Sequence, residues 1–398
     1  MSFSTSNSDS RRYVVFLGVF TAPLLILLGL NFLFLRNAGE LLSVEEILDR
    51  QQDPSQFCLY GTALKSQTFA YKMEGIRRTR PDVIALGSSR SLAFRERFFR
   101  DAFYNMGSSM TNLNEGLDVA DGILTGSHPP KTVILSLDFW WFSEAFTPPV
   151  AYRPRQELLH SFEGYFLFKP FQWLAEGKIT ITDYVNTIMG TDRAEPCNIG
   201  ILALKRRNGL APDGSRYEPD AVTSLENFQD GVFDEVKEIH DGTGRYAYAD
   251  AAHPLHVETL LQLIQKFRDR GIEVVVVLPP FPSSVVAAFQ EEAAHYGVFD
   301  SLRNTLRDKN IPFFDATDPA IFGSSDCEFL DGVHGGDVAY ARLVLWIDAE
   351  RKKSGFPPIG NTVLLQKLIA ENAGYALAKD PRVTADAEVD FLHMGCKK

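Results

Sequence analysis

The chain has 398 residues, 45% hydrophobic and 23% charged, ordinary globular values that exclude a disordered, collagen-like or polytopic membrane protein. Its 40 Lys and Arg against 51 Asp and Glu leave a formal charge of −11, and no basic cluster is dense enough to follow a phosphate backbone. Nucleic acid is not an expected partner. Cys58, Cys197, Cys327 and Cys396 stand far apart without a C-x-x-C pair, which excludes a structural zinc site and leaves disulfide pairing open. No metal or cofactor is expected.

Tyr13 to Leu35 is a run without a charge, and its 23 residues reach roughly 34 Å as a helix, enough to cross a hydrocarbon core of about 30 Å. Arg11 and Arg12 precede it. Arg36 alone follows before Glu40, Glu45, Glu46 and Asp49, so the positive-inside rule places residues 1–12 in the cytoplasm and everything after the helix outside. A cleaved signal peptide would have a shorter apolar region and a small-x-small site, which Arg36-Asn37-Ala38-Gly39 does not provide.

Residues 36–80 read as a juxtamembrane segment, helical around Val44 to Arg50 and without evident chemistry. From Pro81 the texture changes. Asp82–Leu86 and Phe103–Met106 are short apolar runs ending in glycine, a helix is predicted over Asn112–Leu124, and Thr132–Leu137 reads as a buried strand. Late in the chain, a helix over His256–Arg270 is followed by a strand, Ile272–Leu278, stopped by Pro279, Pro280 and Pro282. A helix over Ser284–Lys309, a strand over Ile311–Phe314 and a helix over Asp337–Ile347 complete the pattern. Strand and helix alternating in this way predict an α/β domain over residues 81–350 with a parallel sheet. Residues 351–398 form a C-terminal extension with a final helix over Val363–Leu377.

Residues 139–250 interrupt that rhythm as an aromatic-rich insertion. Trp140, Trp141, Tyr152, Phe162, Tyr165 and Trp173 among them are suited to stacking on sugars, although such rings more commonly pack a subdomain.

Gly87-Ser88-Ser89-Arg90-Ser91 follows a predicted strand directly, at the carboxyl edge where open α/β sheets place ligands and where a helix N-terminus offers N–H groups to an anion. A serine hydroxyl there is a nucleophile only beside a base, and it is also a common helix cap. Of eight histidines, His334 has the most suitable context: it lies in a glycine-bounded loop with Asp331 three residues earlier, a spacing that lets the carboxylate orient one imidazole nitrogen while the other faces a serine. His253 and His256 read as helix-start residues rather than metal ligands.

In these blocks the chain resembles the SGNH (GDSL-like) hydrolase superfamily, and within it the single-pass, membrane-anchored members that act on cell-envelope polymers, such as the teichoic-acid D-alanylation and alginate O-acetylation proteins. Gly87-Ser88-Ser89 matches the nucleophile block, with Ser88 in place of the acidic residue; Asn105-Met106-Gly107 matches the block whose glycine N–H serves the oxyanion hole; Asp331-x-x-His334 matches the last block. At the third block, where the superfamily has Gly-x-Asn-Asp, this chain has Ser136-Leu137-Asp138-Phe139, and an ionised Asp138 cannot donate a hydrogen bond to an oxyanion.

The resemblance implies a flavodoxin-like three-layer sandwich in a bacterial cytoplasmic (inner) membrane protein, with its domain in the periplasm or its equivalent. It implies an acyltransferase or esterase acting on O-acyl, chiefly O-acetyl, groups of a polysaccharide, working with a membrane-bound O-acyltransferase partner. Ser89 would be nucleophile, His334 base and Asp331 orienting acid, with an oxyanion hole on the Ser89 and Gly107 N–H groups, and with Ser88, Arg90, Asn105, Asn112 and Asp138 as neighbours. The competing expectation is a non-catalytic glycan-binding or scaffold subunit of the same machinery, which the Asp138 substitution favours.

Overall fold

The strands are, in chain order, β1 (Val83–Gly87), β2 (Phe103–Gly107), β3 (Thr132–Ser136), β4 (Gly209–Leu210), β5 (Arg216–Tyr217), β6 (Glu273–Leu278) and β7 (Phe313–Asp315). The computed structural model describes residues 7–53, 56–64, 68–146, 164–191, 197–219, 231–380 and 396. Five strands form one parallel sheet in the order β2-β1-β3-β6-β7, while β4 and β5 pair as a small antiparallel ribbon. The chain is therefore an α/β protein with a parallel sheet, as the sequence predicts.

The two-residue period of a strand sends alternate side chains to opposite faces, and both faces here are apolar. Ile84, Leu86, Val133, Leu135, Val274 and Val276 enter one core, beneath helices Leu113–Leu124 and Pro254–Arg268. Val83, Ala85, Ile134, Val275 and Val277 enter the other, beneath helix Asp337–Lys353. The chain passes from β1 to β2 on one side, then returns across β1 to β3, so the order reverses between β1 and β3. A crevice opens at the carboxyl ends of strands at such a reversal.

Several boundaries differ from the sequence reading. The predicted helix over Ser284–Lys309 is two helices, Ser283–Glu291 and Val298–Asp308, separated around Gly297, whose backbone lies so close to the Asp250 carbonyl that a Cβ would stand 2.3 Å from it. The final helix ends at Asn372 rather than Leu377, and Gly374 at φ +86° turns the chain away. Residues 36–80 are more than a lead-in. Helix Thr68–Thr79 packs on β2, where Gly75 leaves room for the Tyr104 ring, and Tyr60 bridges to Ile199 and Leu210 of the insertion.

Cys58 is bonded to Cys197 and Cys327 to Cys396, which resolves the pairing that spacing left open.

Among the described aromatic residues of the insertion, some pack the core, while Tyr165 and Phe168 are exposed. Phe139, Trp140, Trp141 and Phe142 are buried in the main core, and Trp173 packs with Phe34 of the first helix. Tyr152 and Phe162 lie outside the described residues.

The first helix spans Asn7–Asn37, and its segment Arg12–Asn37, whose most apolar 18 residues have mean hydropathy 2.4, is long and apolar enough to cross a membrane. The apolar run does not end free: Asn31, Phe34 and Leu35 are buried against the insertion.

Candidate active site

The site begins at the end of β1, where backbone hydrogen bonds fold the chain into a one-turn helix, Ser89–Ala93. The Ser88 carbonyl accepts from the Ser91 N–H at 3.2 Å, the Ser91 hydroxyl at 2.8 Å and the Ser108 N–H at 3.1 Å, so the loops after β1 and β2 are fastened together. Ser108 adopts φ +61°, a left-handed conformation that costs a non-glycine residue about 1–2 kcal/mol and here turns β2 toward Ser88. The Ser88 hydroxyl accepts the Arg90 N–H at 3.2 Å as the helix cap. Ser89 is thereby presented at the rim of the sheet, partly exposed.

The facing loop is held from several directions. Asp326 accepts from the N–H groups of Ser283 at 2.5 Å and Ser284 at 3.1 Å, Cys327 is in a disulfide, and the buried Glu328 pairs with Arg342 at 2.9 Å. The loop closes on itself through the Leu330 N–H and the His334 carbonyl at 2.8 Å. Asp331 Oδ1 then accepts the N–H groups of Val333 at 2.8 Å and His334 at 2.7 Å, which leaves Oδ2 to meet His334 Nδ1 at 2.7 Å. His334 Nε2 lies 2.8 Å from Ser89 Oγ.

Hydroxyl, imidazole and carboxylate thus form a continuous relay. A proton on Nδ1, facing the carboxylate, leaves Nε2 as acceptor for the serine hydroxyl. Burial by itself disfavours the imidazolium, but the charge and hydrogen bond of Asp331 outweigh it and raise the His334 pKa above its ordinary 6.5. Glu218, within the insertion directly after β5, adds to that pull, and Arg90 opposes it. Burial acts to raise the Asp331 pKa, yet His334 and the two backbone N–H groups prevail and hold it below 3.8.

The remaining expected site residues have different roles. Arg90 is buried, stacked 3.8 Å from the Phe281 ring centre. Its Nε–H donates to the Val333 carbonyl at 3.1 Å, Nη1 to Asp138 Oδ1 at 3.1 Å, and Nη2 to the carbonyls of Pro279 at 2.9 Å and Pro280 at 2.6 Å. Asp138 is the buried counter-ion of Arg90 and not a lining group. Burial raises its pKa, with Arg90 offsetting part of that rise and the nearby Ser88 hydroxyl a smaller part.

Asn105 is fully buried and does not line the cleft either. Its Nδ2 donates to the carbonyls of Ser91 at 2.8 Å and Phe94 at 2.9 Å, and its Oδ1 accepts the Gly107 N–H at 2.7 Å. The Gly107 N–H, expected in the oxyanion hole, is therefore already given to Asn105. Glycine is required at 107 for a different reason: a Cβ would stand 2.8 Å from Asn105 Oδ1. Asn112 caps helix Leu113–Leu124 by accepting the Glu115 N–H at 3.0 Å. Of the two expected hole donors, only the Ser89 N–H makes no hydrogen bond among the described residues.

Sequence reasoning missed the carbonyls of Val333, Pro279 and Pro280, the Tyr340 hydroxyl that donates to the Arg90 carbonyl, and Glu218. One signal was available. Pro279, Pro280 and Pro282 lack N–H groups, so the segment after β6 has carbonyls that its own backbone donors do not match, and a nearby charged donor such as Arg90 is suited to them. Among the described residues, no group of three or more His, Cys, Asp or Glu is placed to hold a metal ion.

No protein-family model matches the chain, and no curated protein matches it.

Proposed function

We propose that this chain is a membrane-anchored serine acyltransferase or esterase of the SGNH type, handling O-acyl groups, chiefly O-acetyl, on a cell-envelope or secreted polysaccharide. The observation that carries the proposal is the unbroken relay from Ser89 Oγ through His334 to Asp331, at 2.8 Å and 2.7 Å.

In the first half-reaction Ser89 Oγ attacks an acyl carbonyl while its proton passes to His334 Nε2. Asp331 stabilises the imidazolium, and the proton then goes to the departing oxygen as the acyl-enzyme forms. A sugar hydroxyl or water, deprotonated by the same imidazole, attacks the acyl-enzyme and regenerates Ser89. The Ser89 N–H supports the developing oxyanion. Loss of one donor of such a hole typically lowers rate by about 10²–10³, which suits a slow transferase acting on polymer held nearby.

Two disulfides, each between residues following the apolar helix, favour an oxidising compartment for that part of the chain. That agrees with a cytoplasmic N-terminus and an extracytoplasmic, periplasmic domain. A membrane-bound O-acyltransferase partner would supply acyl groups at the same face. The discriminating experiment incubates the full chain in detergent with a chromogenic acetyl ester, with and without acceptor glycan, beside Ser89→Ala. Release without glycan identifies an esterase and acceptor-dependent product a transferase; equal signals from Ser89→Ala would overturn both.

A second reading, a non-catalytic glycan-binding or scaffold subunit, is favoured by one specific observation: the Gly107 N–H is committed to Asn105, which leaves the hole short of a donor. Failure of a serine-directed fluorophosphonate to label Ser89, with normal polymer acylation restored by Ser89→Ala in a deletion strain, would establish it.

A further inference from the structure

We propose that helix Ile181–Met189 is a second membrane contact, an apolar face resting on the lipid bilayer beside the spanning helix. The proposal rests on the reading of Arg12–Asn37 as that spanning helix.

Length arithmetic sets the level of the bilayer surface. At 1.5 Å per residue, a hydrocarbon core of about 30 Å takes roughly 20 residues, so a span beginning at Tyr13, just after Arg12, ends near Phe32. At that level the helix is already tied to the insertion. Asn31 Nδ2 donates to the Leu167 carbonyl at 2.6 Å, and Asn31 Oδ1 accepts from the Tyr184 hydroxyl at 2.6 Å. The Tyr184 ring stacks on Phe34 at 5.0 Å, and Asn37 Nδ2 donates to the carbonyls of Thr187 at 3.3 Å and Ile188 at 3.0 Å. Helix Ile181–Met189 accordingly runs alongside the end of the long helix, with Ile181 toward the bilayer and Met189 away from it.

Its other stripe is apolar and uncovered. Ile181, Val185 and Met189, spaced i, i+4 and i+8, are 75%, 49% and 70% exposed. Flanking Leu167, Tyr165 and Phe168 are 52% and 53% exposed. Large apolar side chains gathered on one exposed surface mark an interaction site, and amphipathic rings favour the headgroup level. Lipid is the occupant that the position selects, because the contacts with Asn31 hold this surface at the height where the hydrocarbon ends. The exposed Lys178–Glu176 ion pair, at 2.8 Å just before the helix, keeps the contact shallow, at the boundary of headgroup and acyl chain.

The test uses the full chain in phosphatidylcholine nanodiscs, with the single variants Ile181→Cys, Val185→Cys or Met189→Cys, Leu25→Cys as a control in the span and Lys309→Cys as a control at the exposed end of helix Val298–Asp308. The cysteines described are all in disulfides, so an environment-sensitive fluorophore labels only the introduced thiol. Lipids spin-labelled near the top of the acyl chain are expected to quench position 181 most, then 185, then 189, with 309 unaffected. If 181 and 185 are quenched no more than 309 while 25 is quenched by deep spin labels, the helix spans but the contact does not exist. If 25 also escapes quenching, the anchor reading fails and takes the proposal with it. Protection of 181 and 185 from aqueous iodide without quenching by spin-labelled lipid would mean that a second copy covers the face, and would overturn the lipid contact.

Discussion

Arg90, the residue after Ser89, donates its Nε–H to the carbonyl of Val333, the residue before His334, at 3.1 Å. One buried guanidinium therefore sets the distance between the Ser89 loop and the His334 loop, while its remaining hydrogen bonds fasten both to the ends of β3 and β6 through Asp138, Pro279 and Pro280.

Arg90→Met is expected to destabilise the fold by about 3–5 kcal/mol, because Asp138 is left as a buried unpaired charge. Arg90→Met with Asp138→Leu should recover part of that loss in thermal unfolding. Turnover should not recover, since the Val333 carbonyl still lacks its donor. Activity restored along with stability would show that Arg90 only neutralises Asp138.

Asp138→Asn reinstates the residue type that the resembling superfamily carries at this block, yet it is not expected to raise turnover. Asp138 Oδ1 faces Arg90 at 3.1 Å and the side chain is buried. Ester hydrolysis and melting temperature measured together decide the matter: faster turnover in Asp138→Asn would place this side chain at the oxyanion after all.

The pH profile should report His334. Catalysis needs the neutral imidazole, and since Asp331 raises the His334 pKa above 6.5 against the effect of burial, the rate should rise with pH to a midpoint above that value. Asp331→Asn should move the limb to lower pH and reduce the rate by about 10⁴-fold, the cost typical of losing the orienting carboxylate. An unmoved midpoint would detach Asp331 from the base.

Lys72 offers an independent measurement, of stability alone. Its Nζ is buried, donates to the carbonyls of Asn105 at 2.8 Å and of Gly214, and is lowered by burial from 10.5 to about 7. The unfolded chain binds the additional proton between those values, so this group makes stability rise with pH from about 7 toward 10.5. Above 10 the buried hydroxyls of Tyr71 and Tyr104, whose pKa values burial raises, work in the opposite sense. Denaturant unfolding across pH 7 to 9 should show the rise in the native chain and its loss in Lys72→Met.

Cys58–Cys197 joins the lead-in to the insertion across 139 residues. Replacing both by Ser should lower stability by about 2–5 kcal/mol in thermal unfolding. An unchanged stability would mean that the hydrogen bonds around Tyr60 hold the two segments unaided.

What the amino-acid order determines here is mostly local. Short apolar runs of strand length, closed by Gly at the ends of β1 and β2 and by Pro after β6, make those strands legible, the run Thr132–Leu137 does the same for β3, and the uncharged stretch from Tyr13 to Leu35 is long enough to cross a membrane as an apolar helix. The pairing of Ser89 with His334 was legible as well, because nucleophile and base require particular neighbours, Gly87 and Asp331, that lie close in sequence. The assignments of Gly107, Asn105 and Asp138 were not. A backbone N–H or a carboxylate has the same appearance in sequence whether it faces a cleft or a neighbouring side chain, and only packing decided that Gly107 donates to Asn105 and Asp138 to none, being the acceptor of Arg90. The disulfide partners and the burial of Asn31 likewise depend on segments more than a hundred positions apart meeting in space, for Cys58 with Cys197 and for Asn31 with Leu167 and Tyr184. Such meetings are set by the joint closure of the whole core, a property that no window of sequence contains.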